Sequence, residues 1–256
     1  MTSRTAYIDM EFAGIYGTHQ GIQIPIEIGV VIHQPDSDTI TFAGTAFSQP
    51  VDVELWKNVT DDVGKRIEGQ RRVFNLASRG QTKNFDKKFH LGADGQREAH
   101  RIIALVFRDL RTFMQTLNRK DIGTLAFFAR RREMETFRDS RIQTGGFIIR
   151  DLQDEIRSRF HLREHVSLDR ASLITDIGIT KTSIQSSHFS YTLPKKYRYL
   201  IKPHKAIGDA ARIFLVDREF SQYPEEFRIQ LTGHIREYER RKESEKSAPK
   251  GLNGQF

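Results

Sequence analysis

The sequence predicts an α/β domain built on a mixed sheet of five strands with helices on its faces. Two observations lead to this fold class: segments with strand character come first, and strands then alternate with amphipathic segments. Apolar residues form 38% of the 256 residues, enough for one sizeable core. We therefore expect one domain over residues 1–238, with an irregular insertion or rim over 49–95 and a charged, disordered tail over 239–256.

Three strand candidates lie within the first 50 residues. Residues 6–12 alternate, with apolar side chains on one side and two acids on the other. Residues 24–32 are β-branched and almost continuously apolar, as in a strand covered on both faces. Residues 39–47 are the third candidate. Short glycine-containing or Pro-Asp links separate the three, which predicts an antiparallel meander.

The rest of the chain alternates between helix and strand patterns. Apolar residues at three-to-four spacing predict an amphipathic helix over residues 96–117, and an apolar run predicts a buried strand over 122–129. Further helices are predicted over residues 132–140, 147–160, 204–219 and 224–238, and a short last strand over 165–168.

Composition narrows the class of protein. The chain carries 41 Lys and Arg against 33 Asp and Glu, a net charge of +8, which favours a polyanionic partner through counterion release. It has no cysteine, so disulfides and zinc–thiolate sites are excluded. The N-terminus has no signal-peptide pattern, and no apolar run reaches membrane-spanning length. We expect a cytoplasmic protein that does not span a membrane.

Two acids on the first strand candidate form the earliest chemical feature. Asp9 and Glu11 are two residues apart, so their side chains point the same way while apolar neighbours fill the opposite face. Clustered carboxylates in a partly buried strand are costly unless a cation neutralises them, and a hard ion such as Mg²⁺ or Mn²⁺ prefers oxygen ligands. Taken alone, this short motif fits solvated acids on an exposed edge strand better.

A second feature opens a late helix at residues 203–211. His204 stands at its start and Asp209 lies one turn further in, among alanines and a glycine that permit close packing on a sheet. Taken alone, this pattern also fits a histidine in a first turn and an aspartate on the surface.

Together, the two features resemble the first and third motifs of the DEDDh 3′→5′ exonucleases, which include proofreading exonuclease subunits and RNase T. The segment HKAIGDA matches the family pattern H-x-A-x-x-D-A at each defined position. The resemblance covers roughly residues 5–218. It implies an RNase H-like fold, a mixed five-stranded sheet flanked by helices.

The second motif of that family departs from the pattern in this chain. The family places an aspartate after a central strand, at the start of a helix, whereas three arginines follow the strand here. Glu133 is the best substitute, because an apolar residue follows four positions later, as the family pattern requires. Glu135 and Asp139 are the runners-up. The arginine run, residues 130–132, fits either a solvated helix start or contacts with substrate phosphates.

The resemblance implies a reaction with two Mg²⁺ or Mn²⁺ ions that clamp the scissile phosphate. Asp9 would bridge both ions, Glu11 and Asp209 would hold the ion that activates water, and Glu133 would support the other. His204 would be the general base, because its ordinary pKa suits proton removal near neutral pH. The products would be nucleoside 5′-monophosphates from the 3′ end of single-stranded DNA or RNA.

Two groups of residues are candidates for binding the substrate. Just after the first acids, a small or aromatic side chain would lie near the terminal nucleotide; these residues are Phe12, Ala13 and Gly14. A basic, aromatic-rich segment leads into His204, where bases would stack and cations would follow the backbone. Its candidates are Tyr197, Arg198 and Lys205.

Two other interpretations remain open at this point. The chain could be a catalytically weak or inactive member of the fold that binds nucleic acid, which the altered second motif favours. It could also be an unrelated α/β protein in which both motifs arise by chance, and Asp9 and Asp209 would then lie apart. The pattern allows a homodimer and does not distinguish RNA from DNA.

Overall fold

The computed structural model describes residues 3–15, 22–47, 93–118, 121–199, 201 and 205–247. Five strands form its main sheet: β1 (Arg4–Ile15), β2 (Ile22–Gln34), β3 (Thr39–Ala46), β4 (Ile122–Phe127) and β5 (Ile148–Asp151). The helices of this part of the chain are α1 (Ala93–Asn118), α2 (Arg131–Asp139), α3 (Leu152–Arg159), α4 (Leu168–Ile174), α5 (Ala206–Gln222) and α6 (Pro224–Ser247).

The main sheet has the strand order β3-β2-β1-β4-β5. β2 runs antiparallel to both β1 and β3, whereas β4 is parallel to β1 and β5 is parallel to β4. The predicted antiparallel meander and the mixed five-stranded sheet are thus confirmed. A second, small sheet was not predicted; it joins β6 (Gly178–Ile179), β7 (Ser183–Gln185) and β8 (Ser190–Thr192).

The alternation of β1 decides what each face of the sheet can hold. Ile8 and Met10 point into a core shared with α1, where they join Val106 and Leu110. Tyr7 points to the opposite face, into a second core shared with α5. The next residues on that second face are the acids Asp9 and Glu11 rather than apolar side chains. The apolar core on this face therefore ends after Tyr7, and the acids face the side of the sheet that α5 covers.

The face covered by α5 is packed with small and aromatic side chains. Ala210, Ala211 and Phe214 lie in the core beneath the helix. A third apolar cluster joins α5 to the helices on its outer side through residues such as Phe220 and Phe227. α5 is therefore buried on nearly all sides, which fixes its position over the sheet.

Two predicted elements are wrong. Residues 147–160 were expected to form one helix, but Ile148–Asp151 form β5 and only Leu152–Arg159 are helical. Residues 165–168 were expected to form a strand. They instead lead into α4, whose N-cap is Ser167, and the Ser167 hydroxyl accepts from the backbone N–H of Arg170.

The C-terminal helix is longer than predicted. We expected it to end at Tyr238 and a disordered tail to follow, but α6 continues to Ser247. The added segment is rich in Glu, Lys and Arg, which favour helix without any apolar periodicity. Residues 248–256 and most of the predicted insertion, 49–92, lie outside the described residues, whereas residues 93–95 belong to α1.

A buried polar network ties β1, β5 and α5 together. The Asp217 carboxylate accepts hydrogen bonds from Tyr7 Oη at 2.7 Å and from two guanidinium nitrogens of Arg150 at 2.8 and 2.9 Å. Arg150 also donates to Glu155 on α3. Because Asp217 is buried, these partners replace the water that the carboxylate loses on folding.

Replacing Asp217 with alanine is expected to lower the free energy of unfolding by about 1–3 kcal/mol, because the buried Tyr7 hydroxyl loses its acceptor while the half-buried Arg150 keeps Glu155. Urea denaturation followed by circular dichroism measures the change. Asp139→Ala is the matched control, since its ion pair with Arg138 is exposed and contributes less than about 1 kcal/mol. Equal losses in the two variants would contradict the structural role of Asp217.

None of the described helices combines the length and the apolar character that a membrane span requires.

Candidate metal centre

The acids of β1 lie where the sheet opens. β4 pairs with β1 only as far as Tyr7, which faces Ala126. Asp9 and Glu11 come after that point on the face covered by α5, so they stand beside the turn that leads from β4 into α2. The end of a short strand next to a longer one leaves a gap in the sheet, and the acids line it.

Helix α5 brings a third acid to the same place. Asp209, in the first turn of α5, is buried, and one carboxylate oxygen each from Asp9, Glu11 and Asp209 lie within 4.8 Å of one another. Asp9 and Asp209 are 200 residues apart in the chain. The structure therefore brings together the three acids that the two sequence motifs supply.

A glycine on β2 permits this approach. Gly29 is the cross-strand partner of Asp9. A Cβ atom at Gly29 would lie 2.1 Å from the backbone nitrogen of Ile207 and 2.2 Å from the backbone carbon of Ala206. The first turn of α5 thus rests directly on the backbone of β2, which sets the height of Asp209 above the sheet.

An arginine fixes the orientation of Asp209. The buried Arg212 guanidinium donates to Asp209 Oδ1 at 2.8 Å and to Ser172 Oγ on α4 at 2.9 Å. It also forms an ion pair with Asp169 of α4. Because α4 holds Arg212 through Ser172 and Asp169, the guanidinium has a fixed position from which it holds one oxygen of the Asp209 carboxylate.

A fourth acid comes from α2. Glu133 lies in the first turn of that helix and is 7% exposed, and it lines the same cavity as the other three acids. Its Oε2 atom is buried with no hydrogen-bond partner among the described residues. Glu135 and Asp139, the other substitutes for the second motif, are exposed and ion-paired with Arg131 and Arg138, respectively.

The turn that carries Glu133 is held by Asp151 at the end of β5. The Asp151 carboxylate accepts from the backbone N–H groups of Ala129 and Arg130, at 3.1 and 3.0 Å. It also caps α3 by accepting from Gln153. Ala129 has φ 64°, a conformation that side chains rarely adopt, so these bonds stabilise a turn that would otherwise be unfavourable.

The clustered carboxylates could hold a cation. Desolvation by burial raises the pKa of Asp9 well above its ordinary value, and the neighbouring carboxylates, Asp209 first, raise it further. Burial also raises the pKa of Glu133 to about 7. At such positions either a bound proton or a divalent ion neutralises the negative charge.

The acids form the floor of a cavity of about 910 Å³, within the range of ligand-binding pockets. Its exposed lining carries both charges, with Arg131 and Arg132 beside Glu135 and Asp139. Arg131 and Arg132 of α2 line one side, and the Arg132 guanidinium lies 5.3 Å from the ring centroid of Phe12. Arg131 is exposed and paired with Glu135, so both interpretations of the arginine run, a solvated helix start and contacts with substrate phosphates, stay predictions.

The other predicted substrate residues lie in different surroundings. The Tyr197 hydroxyl donates to the backbone oxygen of Phe42, and its ring packs against the Phe42 ring, so it is occupied by contacts within the fold. Arg198 is half-buried, and Lys205 is paired with Glu27 at 3.3 Å.

Ala13 and Gly14 continue β1, where their backbones pair with β2, and nothing is described of the Ala13 side chain. His204, the predicted general base, lies outside the described residues.

The sequence motifs did not reveal three residues that shape the site. Gly29 interrupts a β-branched run, and an isolated glycine in a strand is a signal of close backbone approach. Asp151 precedes a helical segment, a position typical of an N-cap. Arg212 had no signal, because its three-residue spacing from Asp209 is common on any helix.

No model of a protein family matches this sequence, and no curated protein matches it either.

Proposed function

We propose that this chain is a divalent-metal-dependent 3′→5′ exonuclease of the DEDDh type, with an RNase H-like fold, that releases nucleoside 5′-monophosphates from single-stranded nucleic acid. The main support for the proposal is that one carboxylate oxygen from each of Asp9, Glu11 and Asp209 lies within 4.8 Å of the other two. Carboxylates from a first strand and a late helix converge as the resemblance implies, and a chance match of two short motifs gives no reason for them to meet.

The residues present fit Mg²⁺ or Mn²⁺. The donors are carboxylate oxygens only, the ligands that hard cations prefer. The unpartnered Oε2 of Glu133 is a further oxygen on the cavity. In this proposal Asp9, Glu11 and Asp209 hold the ions and Glu133 supports them. Bound ions would supply positive charge to the scissile phosphate and would lower the pKa of a bound water.

The chain's own groups have distinct tasks in the proposed reaction. Arg212 keeps Asp209 oriented, and Asp151 keeps the Glu133 turn in place. Arg131 and Arg132 stand at the rim, where guanidinium groups suit phosphate oxygens. Phe12 offers a ring on which the terminal base can stack, and His204 takes the proton from the attacking water.

Asp9→Ala is expected to reduce hydrolysis to the level seen with EDTA, because it removes the central ligand of the cluster. The measurement uses 5′-labelled single-stranded RNA and DNA oligonucleotides with Mg²⁺, Mn²⁺ or EDTA. The wild-type protein should give a ladder that shortens from the 3′ end. Glu133→Ala should lose about 10- to 100-fold, the usual effect of removing a group that supports a metal ligand.

Two matched variants separate Glu133 from its neighbours on α2. Glu135→Ala and Asp139→Ala remove carboxylates of the same helix that are exposed and ion-paired, so activity should stay close to wild type. A ladder from Asp9→Ala equal to that of the wild type would refute the proposal. If Asp139→Ala lost activity and Glu133→Ala did not, Asp139 rather than Glu133 would be the acid of the second motif.

A second candidate function follows from the altered second motif. With glutamate where the family has aspartate, the fold could bind single-stranded nucleic acid without cutting it. Arg131 and Arg132 beside the cavity offer cations for binding in either case. Absence of a ladder, together with an oligonucleotide gel shift that weakens as salt increases, would favour this second function.

A further inference from the structure

The positive charge of the chain is concentrated in one stretch. No Asp or Glu occurs between Asp176 and Asp209. The same stretch contains six cations, namely Lys181, Lys195, Lys196, Arg198, Lys202 and Lys205. The whole chain has a net charge of +8, so most of the excess lies here. Such local asymmetry is typical of a surface that meets a polyanion.

The aromatic residues of this stretch have different environments. Tyr191 is buried, and Tyr197 is bonded to Phe42. Tyr199, in contrast, is 83% exposed, the highest value among the large apolar side chains exposed in the described residues. Lys195 and Lys196, close by in the chain, are also exposed. The Lys196 ammonium lies 4.7 Å from the ring centroid of Tyr197, and the exposed ring of Tyr199 follows the two exposed cations by three and four residues in the chain. Exposed rings and cations in one short segment offer stacking and charge to a nucleic acid.

The position of this surface relative to the acids follows from the sheet register. Tyr197 anchors the stretch on Phe42 of β3. Phe42 is two residues from Gly44, Gly44 pairs with Gly29, and Gly29 pairs with Asp9. Two strand spacings and two residues place the anchor about 12 Å from Asp9. That distance corresponds to about three or four stacked nucleotides at 3.4 Å each.

The far end of the stretch comes closer to the acids. Lys205 is paired with Glu27, and Glu27 is the cross-strand partner of Glu11. Tyr197 is thus anchored about 12 Å from Asp9, and Lys205 is paired with a residue one strand, about 4.8 Å, from Glu11. Both anchor points lie on the side of β1 opposite to Arg131 and Arg132.

We propose that Tyr199, flanked by Lys195 and Lys196, is a stacking platform for the single-stranded nucleic acid upstream of the scissile bond. This inference rests on the proposed exonuclease function for the position of the 3′ end. Bases stack on Tyr199 whatever their identity, and the two lysines meet the backbone phosphates. Tyr197 does not take this role, because its hydroxyl and ring are used inside the fold.

Tyr199→Ala is expected to weaken the binding of an oligonucleotide of about twelve nucleotides by about 5- to 150-fold, the range for the loss of one stacked base. Fluorescence anisotropy in EDTA measures binding with no hydrolysis. Tyr199→Phe should restore binding, since stacking needs the ring and not the hydroxyl. The double variant Lys195→Ala/Lys196→Ala should have a weaker salt dependence. The slope of the logarithm of the binding constant against the logarithm of the salt concentration should fall in magnitude by about 0.7 for each phosphate contact that is lost.

The matched control is Tyr238→Ala. Tyr238 is 48% exposed on α6, outside the basic stretch, and its ring has a cation neighbour in Arg170. Removing it tests whether any exposed tyrosine beside an arginine affects binding, and we expect the wild-type affinity. A loss in Tyr238→Ala equal to that in Tyr199→Ala would overturn the assignment.

Substrate length separates this inference from the proposed function. With Mn²⁺ present, Tyr199→Ala should raise the KM for the long oligonucleotide and leave dinucleotide hydrolysis unchanged, because a dinucleotide does not reach the platform. Tyr199-dependent binding without any hydrolysis by the wild-type protein would keep the platform and reject the exonuclease. Hydrolysis with equal KM in wild type and Tyr199→Ala would reject the platform alone. Binding to phosphatidylserine vesicles and not to oligonucleotides would also reject it.

Discussion

Replacing Gly29 with alanine is expected to separate Asp209 from Asp9 and to lower the rate of the proposed hydrolysis by about 10²-fold or more, the effect of a misplacement near 1 Å. The added Cβ atom would lie 2.1 Å from the Ile207 nitrogen, and its position is fixed by the β2 backbone while the atoms that it meets belong to the α5 backbone. No side-chain rotation relieves it, so α5 must move away from β2. The oligonucleotide ladder assay measures the rate.

The same variant should also lose stability. Overpacking of a core costs about 1–3 kcal/mol, and a contact with helix backbone lies at the upper end of that range. Gly233→Ala is the matched control: it lies in α6 with nothing within 4 Å of the added atom, and alanine favours helix. Wild-type activity in Gly29→Ala would show that α5 does not depend on this contact to position Asp209.

In the absence of divalent ions, the free energy of unfolding is expected to fall as the pH rises from about 5 to 8. The pKa of Glu133 is about 7 in the folded protein, above its ordinary value of 4.5. At a pH between these two pKa values, the folded state keeps a proton that the unfolded state has lost, so the free energy of unfolding decreases as the pH rises. For Glu133 alone the decrease has an upper bound of about 3 kcal/mol. The raised pKa of Asp9 acts in the same direction.

Thermal unfolding over this pH range, in EDTA and in Mn²⁺, measures the effect. Mn²⁺ binds the ionised carboxylates of the folded state, so it should stabilise the protein more at pH 8 than at pH 5. At pH 8 and a Mn²⁺ concentration 100 times the Kd, the stabilisation should be about 2.7 kcal/mol. His188 also loses stabilisation as the pH rises, because its hydrogen bond to Glu219 raises its pKa. The difference between wild type and Glu133→Gln isolates Glu133, and identical pH slopes would contradict the prediction.

Much of the fold could be predicted because the local pattern and the tertiary environment agree. The alternation of residues 6–12 matches the two faces of β1, with Ile8 and Met10 in one core and Tyr7 in the other. The helix at α5 was predicted from its small and apolar residues. In each case the apolar side chains that the pattern contains are buried in one of the two cores on the faces of the sheet.

The errors have specific physical causes. Residues 147–151 include Ile148 and Ile149, β-branched residues that pair with β4 at the sheet edge, and that pairing is not visible in the local pattern. The strands of the small sheet are two or three residues long, too short to show alternation. In α6, helix propensity alone extends the helix past Tyr238, where the apolar periodicity ends.

The candidate site was predicted as far as its acids and no further. Asp9, Glu11 and Asp209 belong to motifs with recognisable spacing. Gly29 and Arg212 depend on which helix lies on which strand, and at what distance, and that information exists only in the folded chain. Glu133 was chosen over Glu135 from the apolar residue four positions later, and its burial, in contrast to the exposed Glu135, is information from the folded chain.

The acid cluster joins the first strand of the sheet to a helix made 200 residues later. Contacts between such distant parts of a chain form late in folding, because the long intervening segment must first be closed. A metal ion then lengthens the lifetime of the finished fold more than it speeds its formation. Under the proposed function, a chain still being synthesised has no complete acid cluster before α5 has been made, so hydrolysis can begin only after Asp209 has been added to the chain.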